Sequence, residues 1–252
     1  TELVALLNND MELESNWLSE LVAELDRHPG AASATSKLLS FHEREVLDGT
    51  GDIISWSGNA NRRGQGEVDT HRYDDVGEVF GPCAGAALYR RASFDDVGLF
   101  DEDFFAYLED VDWAFRARLR GWGCRYVPSS VAYHVGAATT SRQGDLEVYL
   151  ARRNQIALIA KNFPAGSLLR FWWLIAAEQL HALALALYTR TPGRQLRAWR
   201  DALRALPRTL AKRRAIQRGR TIWHRELRDV VTPWTRTVLS LVPGKSGHAV
   251  RD

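Results

Sequence analysis

The chain has 252 residues, ordinary apolar (45%) and charged (25%) fractions and a net charge of +2, which exclude a sequence too short or too polar to bury a core. The charge is divided: residues 1–150 carry 13 Lys and Arg against 26 Asp and Glu, a net of −13, and residues 151–252 carry 20 against 5, a net of +15. That asymmetry predicts two modules, 1–144 and 145–252, the second facing an anionic surface such as phospholipid or nucleic acid.

The chain opens without Met and shows no secretory leader, so it reads as a fragment whose N-terminal part is absent. Residues 3–7 are continuously apolar, as in a strand buried on both faces of a parallel sheet. The run ends in Asn8, Asn9 and Asp10, and polar residues at the carboxyl end of such a strand are candidate ligand contacts. Asp10 could reach a divalent cation bridging phosphate oxygens; a plain polar exit from a strand is the alternative. Ser15 or Asn16 is placed to cap a helix with a face of Trp17, Leu18, Leu21, Val22 and Leu25, stopped by Pro29 and Gly30. Residues 32–39 read as a strand. From 40 to 75 periodicity fades and glycines multiply, which predicts a long surface excursion with one hairpin.

Small residues from Gly81 to Ala87 allow close approach of backbone to a ligand or to another segment. A helix follows in which Val111, Phe115 and Leu119 mark a buried face, while Asp112, Arg116 and Arg120 form a row suited to exposed ion pairs. Glu109 and Asp110 fall at its first turn, where the helix dipole favours an ionised carboxylate and a general base is plausible chemistry. Two strands, 124–127 and 131–133, are split by Pro128-Ser129-Ser130, and His134 ends the second. Cys83 and Cys124 fit no metal or redox spacing and read as buried thiols of a reducing compartment.

From Asp145 onward every segment reads as helix. Residues 148–163 are amphipathic; 168–188 are the most apolar stretch, yet contain Arg170, Glu178, Gln179 and His181, favouring an interfacial or core-packed helix over a spanning one. Residues 190–228 interleave arginines with Leu196, Trp199, Leu203, Leu206 and Leu210, a basic amphipathic pattern of membrane-surface type. Nucleic-acid binding ranks second, because no nucleic-acid module accompanies the charge.

Seven motifs in order carry a resemblance: Leu-Leu-Asn-Asn-Asp (6–10), Gly-Pro-Cys-Ala-Gly-Ala-Ala-Leu-Tyr-Arg-Arg (81–91), Val-Gly-Leu-Phe-Asp-Glu-Asp-Phe-Phe-Ala-Tyr-Leu-Glu-Asp-Val-Asp-Trp (97–113), Arg-Leu-Arg-Gly-Trp (118–122), Tyr-Val-Pro (126–128), Tyr-His (133–134) and Arg-Arg-Asn (152–154). Together they resemble the second half of a family 2 glycosyltransferase of the GT-A fold, close to rhamnosyltransferase-like members that build bacterial surface polysaccharide. The resemblance implies an α/β fold, the C-terminal portion of a GT-A domain, followed by an all-helical basic tail. It implies that Asp10 and His134 hold a Mg²⁺ or Mn²⁺ ion, that Asn8, Asn9 and Arg153 line the nucleotide-diphosphate sugar, and that Asp110, with Glu109 beside it, deprotonates the acceptor hydroxyl. Asn8 stands where the family's metal motif usually has its first Asp, so the cation rests mainly on Asp10. The implied reaction is inverting transfer of a sugar, rhamnose being the first candidate, to a lipid-linked or polysaccharide acceptor. The implied place is the cytoplasmic face of the membrane, with an anionic lipid surface as partner and no nucleic acid. Without the family's first strand and base pocket the donor site would be incomplete and this part alone inactive; the rival reading is a non-catalytic scaffold that keeps the fold.

Overall fold

Side chains of a strand alternate between two faces, and here that period builds three layers. The computed structural model describes residues 1–74, 77–136, 141–223 and 226–232, and of 141–144 the backbone alone. In chain order it contains β1 (Leu3–Leu7), β2 (Met11–Leu13), α1 (Trp17–Arg27), β3 (Ala31–Ser40), β4 (Leu47–Gly49), β5 (Asp52–Ile54) and β6 (Ala60–Arg62). There follow β7 (Ala86–Arg90), α2 (Arg91–Val97), α3 (Glu109–Leu119), β8 (Gly123–His134), α4 (Ser141–Asn162), α5 (Ala165–Tyr188) and α6 (Pro192–Gly219). The main sheet has the order β1-β7-β3-β8-β2, with β4 on β3. β3 and β8 are parallel, while β7 runs antiparallel to β1 and β3. β1, β3 and β8 therefore point the same way, and their carboxyl ends share one edge.

Ala34, Leu38, Ala86 and Leu88 face Trp17, Leu21 and Leu25 of α1. Ala87 and Tyr89, which alternate with Ala86 and Leu88 in β7, and Ala32, at the register shift that opens β3, face Trp113 and Ala117 of α3. On its far side α3 places Val111, Phe115 and Leu119 in a cluster with Ile54 and Trp56, with Leu158 of α4, Phe163 just after it and Leu174 of α5. The helical region and the layered sheet thus share a core. The sequence division at 144/145 falls just inside α4, and residues 233–252 of the tail lie outside the described residues.

Several local expectations are corrected. β1 is a half-exposed edge strand paired antiparallel to β7, not a strand buried on both faces. The Asn16 side chain makes no capping bond; its Nδ2 donates to the carbonyl of Ser129 at 3.3 Å, and Leu18 is exposed. β8 is continuous, its Pro128-Ser129-Ser130 absorbed as a register shift between Ser36 and Lys37 of β3. The segment after Ser40 is not a surface excursion. Its hairpin of β5 and β6 exists, but Leu47, Ile54 and Trp56 are buried. Trp56 stacks on Phe171 of α5 at 4.8 Å. Gly58, at φ +83°, lies so close to α4 that a Cβ would come within 2.2 Å of Ile159 Cδ1.

The row predicted to carry exposed ion pairs is buried, because α3 is sandwiched between the sheet and α4. Asp112 has no exposed surface. It accepts from Arg116 Nε at 3.0 Å, Lys161 Nζ at 2.7 Å and Asn162 Nδ2 at 2.7 Å. Only Arg120 of that row reaches the surface, where it pairs with Asp96.

Candidate active site

The shared edge of carboxyl ends gathers most of the chemistry. Asp10 follows β1, and His134 is the last residue of β8. Oδ2 of Asp10 lies 3.2 Å from Nε2 of His134. The other ring nitrogen, Nδ1, is 2.9 Å from Oδ2 of Asp48, just after the start of β4. That same carboxylate takes an ion pair from Arg62 at the end of β6. The hydrogen bond with Asp48, and the two nearby carboxylates, raise His134 above the usual imidazole range despite its partial burial. Burial works against the Asp48 anion, yet His134 and Arg62 hold it below the usual carboxylate range.

A second group stands at the start of α3. Asp110 Oδ1 accepts from its neighbour Val111 N at 2.8 Å, and Oδ2 lies at the long limit, 3.5 Å, from Ala84 N. Burial raises Asp110, opposed by those two N–H groups and by Arg62. Burial, with Asp110 next to it, pushes Glu109 up to about 7. Glu109 Oε2 has no hydrogen-bond partner among the described residues. Asp52, at the start of β5, is raised well above the usual range by burial and by Asp110. Asp52, Glu109 and Asp110 thus form one acidic cluster, with the guanidinium of Arg62 coupled both to it and to Asp48. Carboxyl groups crowded this way and raised above their usual range suit proton transfer at physiological pH.

The small residues of 81–87 are the hinge between the two groups. A Cβ on Gly81 would come within 2.6 Å of Ala114 of α3, and one on Gly85 within 2.8 Å of Met11 Cε and 3.2 Å of Asn8 Nδ2. Asn8 also donates its backbone N–H to Gly85 O at 2.9 Å. Asn8 and Asn9 are exposed at the lip of the site. Arg153 is engaged elsewhere: its guanidinium donates to the carbonyls of Asp103 and Phe104 and lies near the ring of Tyr149. Among the predicted residues, then, Asp10 and His134 meet, Glu109 and Asp110 stand together, and Arg153 braces the loop before α3.

Sequence reasoning missed Asp48, Asp52 and Arg62, which lie in the stretch read as a surface loop. Asp48 and Asp52 each sit beside a two-residue apolar run, too brief to give a period, and Arg62 has no such neighbour.

Asp10 and His134 fit a divalent cation. Their oxygen and nitrogen converge, and Asp48 holds the ring at Nδ1 so that Nε2 would be the ligating atom, as behind a metal-bound histidine. A second grouping, Asp69, His71 and Asp74, has ligand atoms within 4.8 Å of one another. There Lys37 already supplies the cation, at 2.8 Å from Asp69 and 2.7 Å from Asp74.

No protein-family model matches the chain. It is 45% identical over 67 residues to an N-acetylglucosaminyl-diphospho-decaprenol L-rhamnosyltransferase of Mycobacterium tuberculosis, a match covering 27% of this chain and 21% of that protein. It is 30% identical over 151 residues to the O-antigen biosynthesis protein RfbC of Myxococcus xanthus, covering 57% of this chain and 12% of that protein. A crystal structure of GalNAc-T7 with UDP, GalNAc and Mn²⁺ aligns with TM-score 0.46 and 15% identity, over 64% of this chain and 31% of that one. The chain therefore spans only a small part of the curated relatives it matches. The glycosyltransferase resemblance carried by the seven motifs stands. A sequence relative bears that activity in its name, and the mixed sheet, flanking helices and helical C-terminal region are those expected of the GT-A type.

Proposed function

We propose that this glycosyltransferase-like chain carries the acceptor and metal side of a family 2, metal-dependent, inverting transferase that moves a sugar from a nucleotide-diphosphate donor to a lipid-linked or polysaccharide acceptor. The observation that carries the reading is the meeting of Asp10 with His134 at the same sheet edge as the acidic cluster around Asp110. Rhamnose is the first candidate sugar, from the M. tuberculosis relative's name.

In this scheme the acceptor hydroxyl attacks the anomeric carbon, the bond to the diphosphate oxygen breaks, and the hydroxyl proton passes to the Asp110 carboxylate. Asp10 and His134 would hold a Mg²⁺ or Mn²⁺ ion, which offsets the negative charge on a leaving diphosphate. Asp48 keeps the His134 ring in place. Burial keeps Asp110 basic, and the Val111 and Ala84 N–H groups with Arg62 offset that burial so that Asp110 still ionises. Asn8 and Asn9 offer amide groups to the donor at the lip. Arg153 enters the scheme through the loop that it braces.

The helical region supports docking at an anionic membrane surface. α5 is long and apolar enough to cross a membrane, and 17% of its apolar window is buried. Two of its polar residues turn inward, Glu178 pairing with Arg152 and Gln179 bonding to Gln155 and Trp199, while Arg170 and His181 are exposed. Leu169, Trp172, Leu180 and Tyr188 face outward, as do Leu196, Leu203 and Leu210 of α6. A helix with this outer face, beside exposed arginines such as Arg197 and Arg204, suits the membrane interface. The rival idea, that the basic tail packs on the acidic module, holds for part of α6, since Arg208 and Lys212 pair with Asp101 and Asp103.

The test is sugar transfer and release from a panel of nucleotide-diphosphate sugars, using a chain extended to the length of its relatives. Transfer from one or two donors is the expected result. Nucleotide-sugar binding without turnover of any donor would favour the scaffold reading.

A further inference from the structure

The turn between the 3₁₀ segment Glu102–Phe104 and α3 has an uncommon backbone. Phe105, Tyr107 and Leu108 have φ of 64°, 66° and 68°, and none is glycine. An L side chain in the left-handed region crowds its own carbonyl, so a run of three persists only where the surroundings over-determine it.

Asn154 of α4 supplies that constraint. It is 1% exposed. Its Nδ2 lies 3.0 Å from Phe104 O, 2.8 Å from Ala106 O and 2.7 Å from Tyr107 O. An amide has two N–H groups, so one is shared between two carbonyls. The orientation of the amide is fixed as well, because Oδ1 accepts from Arg153 Nε at 2.9 Å. Arg153 adds bonds to Asp103 O at 3.0 Å and Phe104 O at 2.8 Å. Upstream, Lys161 and Lys212 both hold Asp101. Downstream the chain enters α3 at once, with Leu108 O accepting the N–H of Asp112 at 2.9 Å. Gathering three carbonyls inward turns Phe105 and Tyr107 outward; they are 79% and 42% exposed.

We propose that Asn154 is a positioning residue: by collecting the carbonyls of Phe104, Ala106 and Tyr107 it locks this turn in its left-handed form, which sets the first turn of α3 with Glu109 and Asp110 and aims the Phe105 and Tyr107 rings toward an acceptor sugar. The catalytic consequence rests on the transferase reading above; the locking of the turn does not.

Two substitutions separate locking from space-filling. Asn154→Asp keeps the shape but faces three carbonyls with a group that, when ionised, only accepts, so it repels them. Asn154→Ala removes the donor and adds no repulsion. A locking role ranks wild type above Asn154→Ala and Asn154→Ala above Asn154→Asp; a space-filling role reverses the two variants. The experiment uses the full chain labelled with 3-fluorotyrosine, the Tyr107 signal assigned by Tyr107→Phe, together with transfer assays across pH. Wild type is expected to give one narrow Tyr107 resonance, and both variants a shifted or split one. Turnover is expected to fall at least tenfold in Asn154→Ala and further in Asn154→Asp, with KM for the donor unchanged and partial recovery of Asn154→Asp as pH falls and its carboxyl regains a proton. Should Asn154→Asp not fold, Asn154→Ser, which keeps one short donor, takes its place and should fall between wild type and Asn154→Ala. An unchanged Tyr107 signal in the variants, or Asn154→Asp matching wild type, would overturn the proposal. If wild type transfers no sugar at all, the transferase reading fails, and the Tyr107 signal alone decides the locking.

Discussion

Nε2 of His134 and Oδ2 of Asp10 stand 3.2 Å apart, where β2, entered through Asp10, pairs antiparallel with the end of β8. Met11 is in register with His134, and Val135 N donates to the carbonyl of Asp10 at 2.9 Å, so strand pairing holds the two side chains next to each other. On the proposed reading these two side chains, with Asp48 behind the histidine, would hold the cation.

Mn²⁺ binding, followed by calorimetry or electron paramagnetic resonance, should therefore be lost in both Asp10→Ala and His134→Ala. Asp48→Ala should weaken it by roughly 10–100-fold, the usual effect of removing the partner that orients a ligating histidine. Asp69→Ala should leave it unchanged. Full Mn²⁺ affinity in Asp10→Ala would show that the ion is held elsewhere.

Glu109 predicts a pH dependence of stability. Its carboxyl moves from an ordinary 4.5 to about 7 because of burial and Asp110. The folded state therefore holds the proton more tightly than the unfolded chain. The stabilisation is complete below the ordinary value and disappears as pH rises through about 7. Glu109→Gln should remove this slope and gain ~1–2 kcal/mol over wild type above pH 7, the full shift being discounted for the part of the side chain that solvent screens. Denaturant melts from pH 4 to 8 measure it; parallel curves for the two proteins would contradict the burial of the charge.

Asp112 predicts a purely structural loss. Asp112→Ala leaves Arg116 and Lys161 buried without their shared counter-charge, which costs about 3–5 kcal/mol. The melting temperature should drop by roughly 6–20 °C. A loss below about 1 kcal/mol would mean that the pair is solvated in solution.

The sequence was legible where one physical rule governed a segment. The reading of residues 32–39 as a strand and the four-residue spacing of Val111, Phe115 and Leu119 predicted β3 and α3, while Asp10, His134, Glu109 and Asp110 were singled out by the motifs of the resemblance rather than by position alone. It was illegible where tertiary packing decided. Asp112 and Arg116 look like an exposed helical pair, and only the placement of α4 over α3 buries them. The stretch containing Asp48, Asp52 and Arg62 has glycines and short apolar runs with no period, yet it is wedged between the sheet and α4 by Trp56 and Gly58. Arg153 and Asn154 were recognisable as a motif, but their target, a row of backbone carbonyls, leaves no mark on the sequence.

Membrane docking is tested on the surface, since deleting the helical region would strip Leu158, Phe163 and Leu174 from the shared core. Trp172→Glu with Leu180→Glu should weaken co-sedimentation with anionic vesicles by roughly 10–100-fold, each lost side chain being worth about 1.5–3 kcal/mol when fully buried and less at an interface. Wild-type binding should decline with salt as the basic contribution of about 1 kcal/mol per residue is screened, and keep a salt-resistant part from the apolar face. Equal sedimentation of the two proteins would remove the lipid-facing role of α5.

If Asp110 takes the acceptor proton, turnover must collapse in Asp110→Asn, measured in a chain of the relatives' full length. Asparagine keeps the shape and the approach of the Ala84 and Val111 N–H groups while removing the base. Turnover should fall by roughly 10²–10⁴, the usual contribution of a positioned general base, with nucleotide-sugar affinity unchanged. Turnover within a few-fold of wild type would contradict the assignment of Asp110 and, with it, the acceptor-side reading of the acidic cluster.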